Sequence, residues 1–547
     1  MMRAMSGEAS ETFDYVIVGA GSAGCILAER LSADGVNRVL VLEAGGRDRH
    51  PLLHLPIGVA RVWNRPDFNW NYYSEPEPAA DNRNIFHPRG KVLGGSASIN
   101  MMAYVRGNAG DYDRWAQKGL REWGYDHVLP YFKRCETYLK GADNYRGDAG
   151  PILTQPTPTT DPLMQAWLDA GRSAGFAITE DYNGKAQEGF DRFQFNIGMG
   201  RRSNSADRFL RPALGRANLK LVVDALVDRL DFQGRRATSV IYAVGGETRR
   251  AHARREIVLA AGAYNSPQIL MRSGIGPADP IADMGIPVVL DRPSVGANLQ
   301  DHPAFGIDCA RMSHGDLHSQ LRADRLAFNL LRAWFLRTGP ATLPLASGTA
   351  FVKSAAEIDL PDLQLLFRGY SPEMGPWFPG VIAPKADGIG VTVCHLRPEA
   401  RGTVRLASPD PRVAPRFVNN FLSTEADRRA MRSAFHITRR VLGQPAFDFA
   451  RGPERLPGLK VQSDDEIDAY IRETVRTVFH PCGTCRMGID EDSVVDPQLK
   501  VRGIEGLRVA DASIMPDVVG GNINAPVMMI ADKASDLILG RAPLPPA

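Results

Sequence analysis

The stretch FDYVIVGAGSAGCILAERLSADGVNRVLVLEAGG, residues 13–46, constrains the fold more than any other part of this 547-residue chain. Tyr15 to Val18 is a short apolar, β-branched run of the kind that lies buried in a parallel sheet. Gly19, Gly21 and Gly24 follow, then Ile26, Leu27 and Leu31 at helical spacing. A second strand-like run from Arg38 to Leu42 stops at Glu43. Gly19 permits the tight turn, Gly21 lets the backbone approach a pyrophosphate, and Gly24 lets helix pack on strand. The helix N-terminus, with Ser22 and Ala23, then faces the phosphates. Glu43 stands 19 residues past Gly24, beside Ala44, where a carboxylate accepts hydrogen bonds from a ribose diol. Strand, turn, helix, strand and acid in this register predict a dinucleotide site; they do not separate FAD from NAD.

Three later segments carry related signals. In PRGKVLGGSASINMMAYVRG, residues 88–107, Gly94, Gly95, Ser96 and Ser98 can form a loop passing close to a flat ligand, or a tight turn in the core. In EIVLAAGAYNSPQILMRSGIGP, residues 256–277, a strand from Ile257 to Leu259 runs into Ala260, Ala261 and Gly262. Ser266-Pro267 is predicted to open a helix there, with proline in its first turn. GLRVADASIMPDVVGGNINAP repeats the pattern near the C-terminus, with a short strand ending at Asp511. Strand-to-glycine edges so far apart predict a discontinuous dinucleotide domain.

The length exceeds one ordinary core, so a second domain is expected. A formal charge of +3 gives no electrostatic reason for a nucleic-acid partner. The leader MMRAMSGEASETF has no signal-type apolar core, and no run of eighteen apolar residues occurs. Of six cysteines only Cys482 and Cys485 are close, which suits a reducing cytoplasm rather than a disulfide framework.

That pair belongs to VFHPCGTCRMG, residues 478–488, which also holds His480. Structural zinc takes about four ligands, usually as two paired sets, and only one CxxC is present, so no metal is expected. A redox dithiol fits the spacing; packed thiols behaving as small hydrophobes fit it better.

Taken together, GAGSAG with VLEAGG, GKVLGGSASIN, GAYNSPQILMRSGIGP, NLQDHP, FHPCGTCRMG and VADASIMP…GNINAP run in one order from about Phe13 to about Gly540. In this the chain resembles the glucose–methanol–choline (GMC) oxidoreductases, and within them the bacterial choline, aliphatic-alcohol and sorbose dehydrogenase branch. The resemblance implies an α/β fold: a discontinuous Rossmann-type FAD-binding domain and an α+β substrate-binding domain with an antiparallel sheet. We place the first at 1–160, 205–310 and 475–547, and the second at 161–204 and 311–474. Besides the residues of the first unit, the resemblance assigns to FAD Val92, Gly94, Gly95, Ser98, Asn100, Met101, Val227, Ala261, Gly262, Asp511, Ala512 and Asn522. His480 matches the family's active-site histidine, and Asn524, 44 residues on, its His/Asn partner. Some members attach flavin through a histidine just before the Asn of the GGxxSxN loop; Ile99 stands there, so non-covalent FAD is expected.

The chemistry supports such a pair. As hydride leaves an alcohol carbon for flavin N5, a neutral imidazole can take the hydroxyl proton, and an amide N–H can stabilise the developing alkoxide. The implied activity is an FAD-dependent dehydrogenase oxidising a primary alcohol, with electrons passing to a quinone or another acceptor. An oxidase producing hydrogen peroxide and a flavin-dependent lyase without net redox are the alternatives. His302, His395 and His436 are expected to be structural, His302 alternatively a support behind the site. Trp70, Tyr72, Trp334 and Trp377 are candidates for a quaternary-ammonium cage that the sequence does not bring together. SDDEIDAYIRETVRTVF, residues 463–479, predicts a helix with a Ser463–Glu466 capping box, and APLPPA an unstructured tail. RADRLAFNLLRAWFLRTGP, residues 322–340, predicts a helix stopped by Gly339-Pro340. Two readings stand for it: a cap helix packed on the core, or an interfacial helix in peripheral contact with a membrane.

Overall fold

The computed structural model describes residues 11–157, 161–313, 315–343 and 347–547. Of the leader, only residues 11–13 are described, and they open the first strand, Glu11–Val18.

Leu219–Val222, Val39–Leu42, Glu11–Val18, the end of Glu247–Leu259 and Leu507–Val509 lie side by side and parallel, in that order. Val16, Ile17, Val39, Val41, Val258 and Val509 have no exposed surface, as a sheet covered on both faces requires. Glu247–Leu259 is long enough to serve twice: Ile257–Leu259 meets Leu507–Val509, and its first half pairs antiparallel with Arg236–Val244. The Ser22–Leu31 and Asn524–Leu539 helices share the core of this sheet.

A second sheet is antiparallel, in the order Arg451–Leu456, Pro303–Arg311, Gly388–His395, Leu363–Arg368, Ser347–Val352, Gly189–Arg192, with Arg476–Thr477 beside Pro303 and Ala304. Its strands alternate. Phe305, Ile307, Val391, Val393, Leu363 and Leu365 pack with Trp167, Phe435 and Ile471 of three covering helices, Pro162–Ser173, Glu425–Leu442 and Asp464–Thr474. Each such side chain fully buried contributes about 1.5–3 kcal/mol. The residues between them, Thr392, Leu366 and Arg368 among them, face a cavity between the two sheets.

Several local expectations differ from the structure. All of the Pro303–Arg311 strand but its last residue, and Arg476–Thr477, fall within segments placed in the FAD domain, yet both pair in the second sheet. Their alternation marks a half-buried strand but not which sheet it joins. The helix at 262–272 begins at Gly262, so Pro267 lies inside it. Proline has no N–H to give the Ala263 carbonyl, and that carbonyl instead accepts a bond from Thr484 Oγ1 at 2.6 Å. The capping box at Ser463 forms, but the helix ends at Thr474 and the chain turns extended at Arg476. The tail is irregular but docked: Leu544 N–H donates to Tyr131 Oη at 3.1 Å and Ala547 N–H to Asp126 O at 3.0 Å.

Candidate active site

The glycine edges predicted from distant segments converge at the carboxyl ends of the parallel strands, where α/β sheets take ligands. Gly19 follows Val18, Glu43 follows Leu42, Ala260 follows Leu259, and Asp511 lies two residues past Val509. They open one cavity of about 870 Å³ that continues to His480.

The nucleotide end is built by close backbone approach. Gly19 has φ +101°, and a Cβ there would lie 2.6 Å from Ala260 O; a Cβ on Gly24 would lie 1.8 Å from Gly19 O. The Glu43 carboxylate accepts Ala20 N–H and Gly45 N–H, both at 2.8 Å. Burial pushes its pKa up to about 7. Each of its oxygens still has a lone pair for a ribose hydroxyl. Every predicted cofactor residue lines the cavity except Gly24, Val92, Gly94 and Ser98, which stand one layer behind. Gly94 N–H donates to Ala20 O at 2.8 Å and Ser98 Oγ to Leu93 O at 2.7 Å, fixing the loop that carries Gly95.

Asn524, expected beside His480, is not there. It is the first residue of the Asn524–Leu539 helix, and its Oδ1 accepts from Ser22 Oγ at 2.8 Å. Its Nδ2 is buried without a partner, a donor held free beside the glycine loop. Asn522, two residues earlier and outside the helix, takes the expected place: its Nδ2 is 3.0 Å from His480 Nε2. Gln364 Nε2 donates to Asn522 Oδ1 at 3.4 Å, which orients the amide with its N–H toward the imidazole.

With Nε2 accepting, the His480 proton sits on Nδ1, 3.0 Å from His302 Nδ1. His302 thus lies directly against His480, on the side away from Asn522. Asp301 ties the two histidines together, accepting His302 N–H at 2.8 Å, His480 N–H at 2.9 Å and Thr477 Oγ1–H at 2.5 Å. Burial pushes the His480 pKa well below 6.5, and His302 and Arg89 lower it further. The imidazole is thus neutral and able to accept a proton near pH 7.

The CxxC pair lies in the first core rather than at the reacting end. Cys482 N–H and C=O pair with Gln300, Cys485 N–H donates to Ser513 O at 2.8 Å, and burial raises both thiol pKa values. The segment that follows His480 is thus tied to the backbone at Gln300 through Cys482 and at Ser513 through Cys485. Of the four candidate cage aromatics only Trp70 and Tyr72 come together, and all four already have other partners. Trp70 stacks on Tyr72 and already holds Lys91 Nζ at 4.6 Å; Trp334 holds Arg201 at 4.6 Å; Trp377 packs on His318. His395 lies 3.6 Å from Asp427, and His436 is a surface residue 3.8 Å from Asp464. Asp301, Gln364, Arg368 and Arg476 also stand at this end of the cavity, and no local sequence pattern marks their roles.

A dinucleotide edge running into a histidine–amide pair defines an oxidoreductase-type site. Family models described as GMC oxidoreductase match residues 13–304 and 398–531. The chain is 44% identical over 533 residues to the oxygen-dependent choline dehydrogenase of Sinorhizobium medicae, spanning 97% of this chain and 96% of that protein. It is equally similar, 44% over the same length, to that of Brucella ovis. Among solved structures it resembles pyridoxine 4-oxidase from Mesorbium loti, with TM-score 0.86 and 32% identity over 97% of this chain and 99% of the other. Formate oxidase from Aspergillus oryzae RIB40 gives TM-score 0.87 and 27% identity over 98% and 99%. The chain belongs to the GMC oxidoreductases, FAD-binding flavoproteins. The cradle fits that cofactor through its glycine approaches, Glu43 and the unpartnered amide of Asn524.

Proposed function

We propose that this chain oxidises a primary alcohol to the aldehyde, with His480 as the base and Asn522 as the amide that holds the reacting oxygen. The observation that carries this is the Asn522 Nδ2–His480 Nε2 contact of 3.0 Å in a cavity continuous with the dinucleotide edge. A hydroxyl entering between these two groups replaces their mutual hydrogen bond: its oxygen accepts from the amide, and its proton goes to Nε2. Bound FAD supplies the two-electron acceptor for the hydride. His302 accepts the Nδ1 proton bond and so keeps Nε2 available, while Gln364 keeps the amide turned as a donor. Anaerobic mixing of the FAD-loaded protein with primary alcohols is expected to bleach the flavin. Product formation from a cyanohydrin while the flavin stays oxidised would replace this reading with the lyase.

The FAD is held without a covalent bond to residue 99, because Ile99 is a buried aliphatic side chain lining the cavity. Acid precipitation is expected to leave the flavin in the supernatant; yellow colour in the pellet would contradict this.

For the acceptor, the Ala323–Leu336 helix supports a quinone met at a membrane surface. Leu326 and Leu330 line the cavity, while Phe328, Leu331 and Phe335, at helical spacing, are 64%, 59% and 73% exposed. Arg325, Arg332 and Arg337 stand nearby, and the one acid of the helix, Asp324, is paired with Arg322. An apolar ridge with arginines fits the boundary of an anionic bilayer. The protein is expected to sediment with phosphatidylglycerol vesicles, and Phe328→Ser, Leu331→Ser and Phe335→Ser together to weaken binding about tenfold or more. Equal sedimentation of the triple variant would remove this surface from the proposal. No helix among the described residues is long and apolar enough to cross a membrane.

A further inference from the structure

The cavity face of the antiparallel sheet carries a charge that alcohol oxidation by itself does not call for. Thr392 lies on the central strand Gly388–His395, and its Oγ1 accepts bonds from two guanidinium groups at once, Arg368 Nη1 at 3.2 Å and Arg476 Nη2 at 3.1 Å. Both arginines line the cavity. Strand alternation puts them there: Arg368 follows Leu366 by one pleat, and Thr392 sits between the core residues Val391 and Val393.

Room for both groups comes from two glycines on the same face. A Cβ on Gly390 would lie 2.8 Å from Arg368 Nη2, and one on Gly306 would lie 3.6 Å from Arg476 Nη2. A side chain at position 390 would press on the Asp308–Arg368 pair, which lies over the bare backbone there, and Gly306 leaves space beside Arg476.

The charges do not balance. Arg368 is paired with Asp308, whereas Arg476 has no carboxylate within 4.0 Å among the described residues. The buried Nε of Arg368 also lacks a partner. Elsewhere along the cavity, the carboxylates among the described lining residues are Glu43 and Asp511, both at the nucleotide end. Two guanidinium groups brought to one hydroxyl repel each other, and with Arg368 half-buried and Arg476 open to the cavity, water screens that repulsion only in part. A bound anion relieves that repulsion and takes up the unused donors in charge-assisted hydrogen bonds, the geometry in which guanidinium binds oxyanions best. A quaternary ammonium would bring a third positive charge to the same place.

The location ties this face to the chemistry. Arg476 precedes His480 by four residues on one segment, and four residues span at most about 14 Å. A short chain of carbons can reach from one to the other.

We propose that the substrate is an alcohol bearing an anionic group, a carboxylate or another oxyanion, which Arg476 and Arg368 hold while its hydroxyl lies at His480 and Asn522. This rests on the alcohol-oxidising reading above and narrows it to a substrate class opposite in charge to choline.

The test uses the FAD-loaded protein without oxygen and three series of primary alcohols matched in length from three to six carbons. One ends in a carboxylate, one in a methyl group and one in trimethylammonium. Flavin bleaching against concentration gives a half-saturating value for each. The carboxylate series is expected to saturate at about tenfold lower concentration than the methyl series, and the ammonium series to be the poorest. Arg476→Gln is expected to erase the advantage of carboxylate over methyl, and Arg476→Lys to keep most of it. Equal values for the three series, or a preference for ammonium, would overturn the anion site while leaving alcohol oxidation standing. A second readout does not depend on turnover: titration with pentanoate, which has no hydroxyl, followed by the shift in the flavin spectrum. Saturable binding weakened about tenfold by Arg476→Gln supports the anion site even if no alcohol bleaches the flavin, in which case the oxidation reading is the one that fails. Pentanoate binding unchanged in that variant would overturn the anion site.

Discussion

Replacing His480 with alanine is expected to lower kcat for alcohol oxidation by about 10²–10⁴ while FAD stays bound, because positioned general bases contribute on that order. The side chain reaches the cavity from the far side of the nucleotide edge and forms no hydrogen bond with the Gly19, Gly95 or Glu43 loops. Its loss therefore leaves the cradle intact, and flavin absorbance of the purified variant checks this directly. The pH dependence follows from the same environment. Burial, His302 and Arg89 all hold the His480 pKa well below 6.5, so the proton-accepting form is dominant above that lowered value. In the unaltered protein kcat/KM is expected to stay level as pH falls through 6.5 and to drop only further down. In His480→Ala that lower limb should vanish with the base. A limb centred near 6.5 would mean an exposed imidazole, and near-normal turnover of the variant would end the assignment.

The parts of this fold that the sequence makes plain are those where backbone, not side chains, meets the ligand. Gly19 and Gly24 are required by approaches of 2.6 Å and 1.8 Å for any added Cβ, so their spacing alone announces strand, turn and helix. Glu43 is equally local, since it caps the second strand and bonds to Ala20 and Gly45 beside it. Pro303–Arg311 shows the limit. Its alternation says that one face is buried, but its partners, Gly388–His395 and Arg476–Thr477, lie 77 or more residues away, and only pairing decides which sheet it enters.

The site divides along the same line. His480 stands out because Pro481 and the neighbouring glycine and cysteines mark a constrained segment. Asn522 and Asn524 are two residues apart in GGNINAP, and spacing alone cannot rank them. The helix starts between them, sending Asn524 to Ser22 and leaving Asn522 for His480. Arg368 and Arg476 are hidden for a further reason: charged residues on strands usually face open water, and these line a cavity. The signal available was indirect. Thr392 interrupts an otherwise apolar run, and Gly306 and Gly390 interrupt strands where a side chain would normally pack.

Asp301→Ala is expected to produce the largest combined loss of stability and turnover, although Asp301 is placed to touch neither substrate nor flavin. Its carboxylate is buried and takes two backbone N–H groups and the Thr477 hydroxyl, which fixes His302 and His480 relative to each other. Burial raises its pKa to about 6, so it is still largely ionised at pH 7. Alanine leaves those donors without an acceptor, at about 1–3 kcal/mol each, and removes the negative charge that acts on the half-buried Arg89. A fall of about 3 kcal/mol or more in unfolding free energy is expected, read from the urea midpoint. Turnover should fall with it even at temperatures where the variant is folded, because a 1 Å displacement of the base can cost about 10²-fold. Asp301→Asn separates the two effects. It keeps one acceptor oxygen and nearly the same shape, so most of the stability should return. The Thr477 hydroxyl can then turn to accept from the new amide, so the backbone of His480 stays tied only if the remaining oxygen faces it. Recovery of kcat together with stability would show that Asp301 acts by holding that backbone. Stability recovered with kcat still depressed would show that its charge, acting across His302 and Arg89, is what sets the base. An alanine variant as stable and as active as the parent would remove Asp301 from the site altogether.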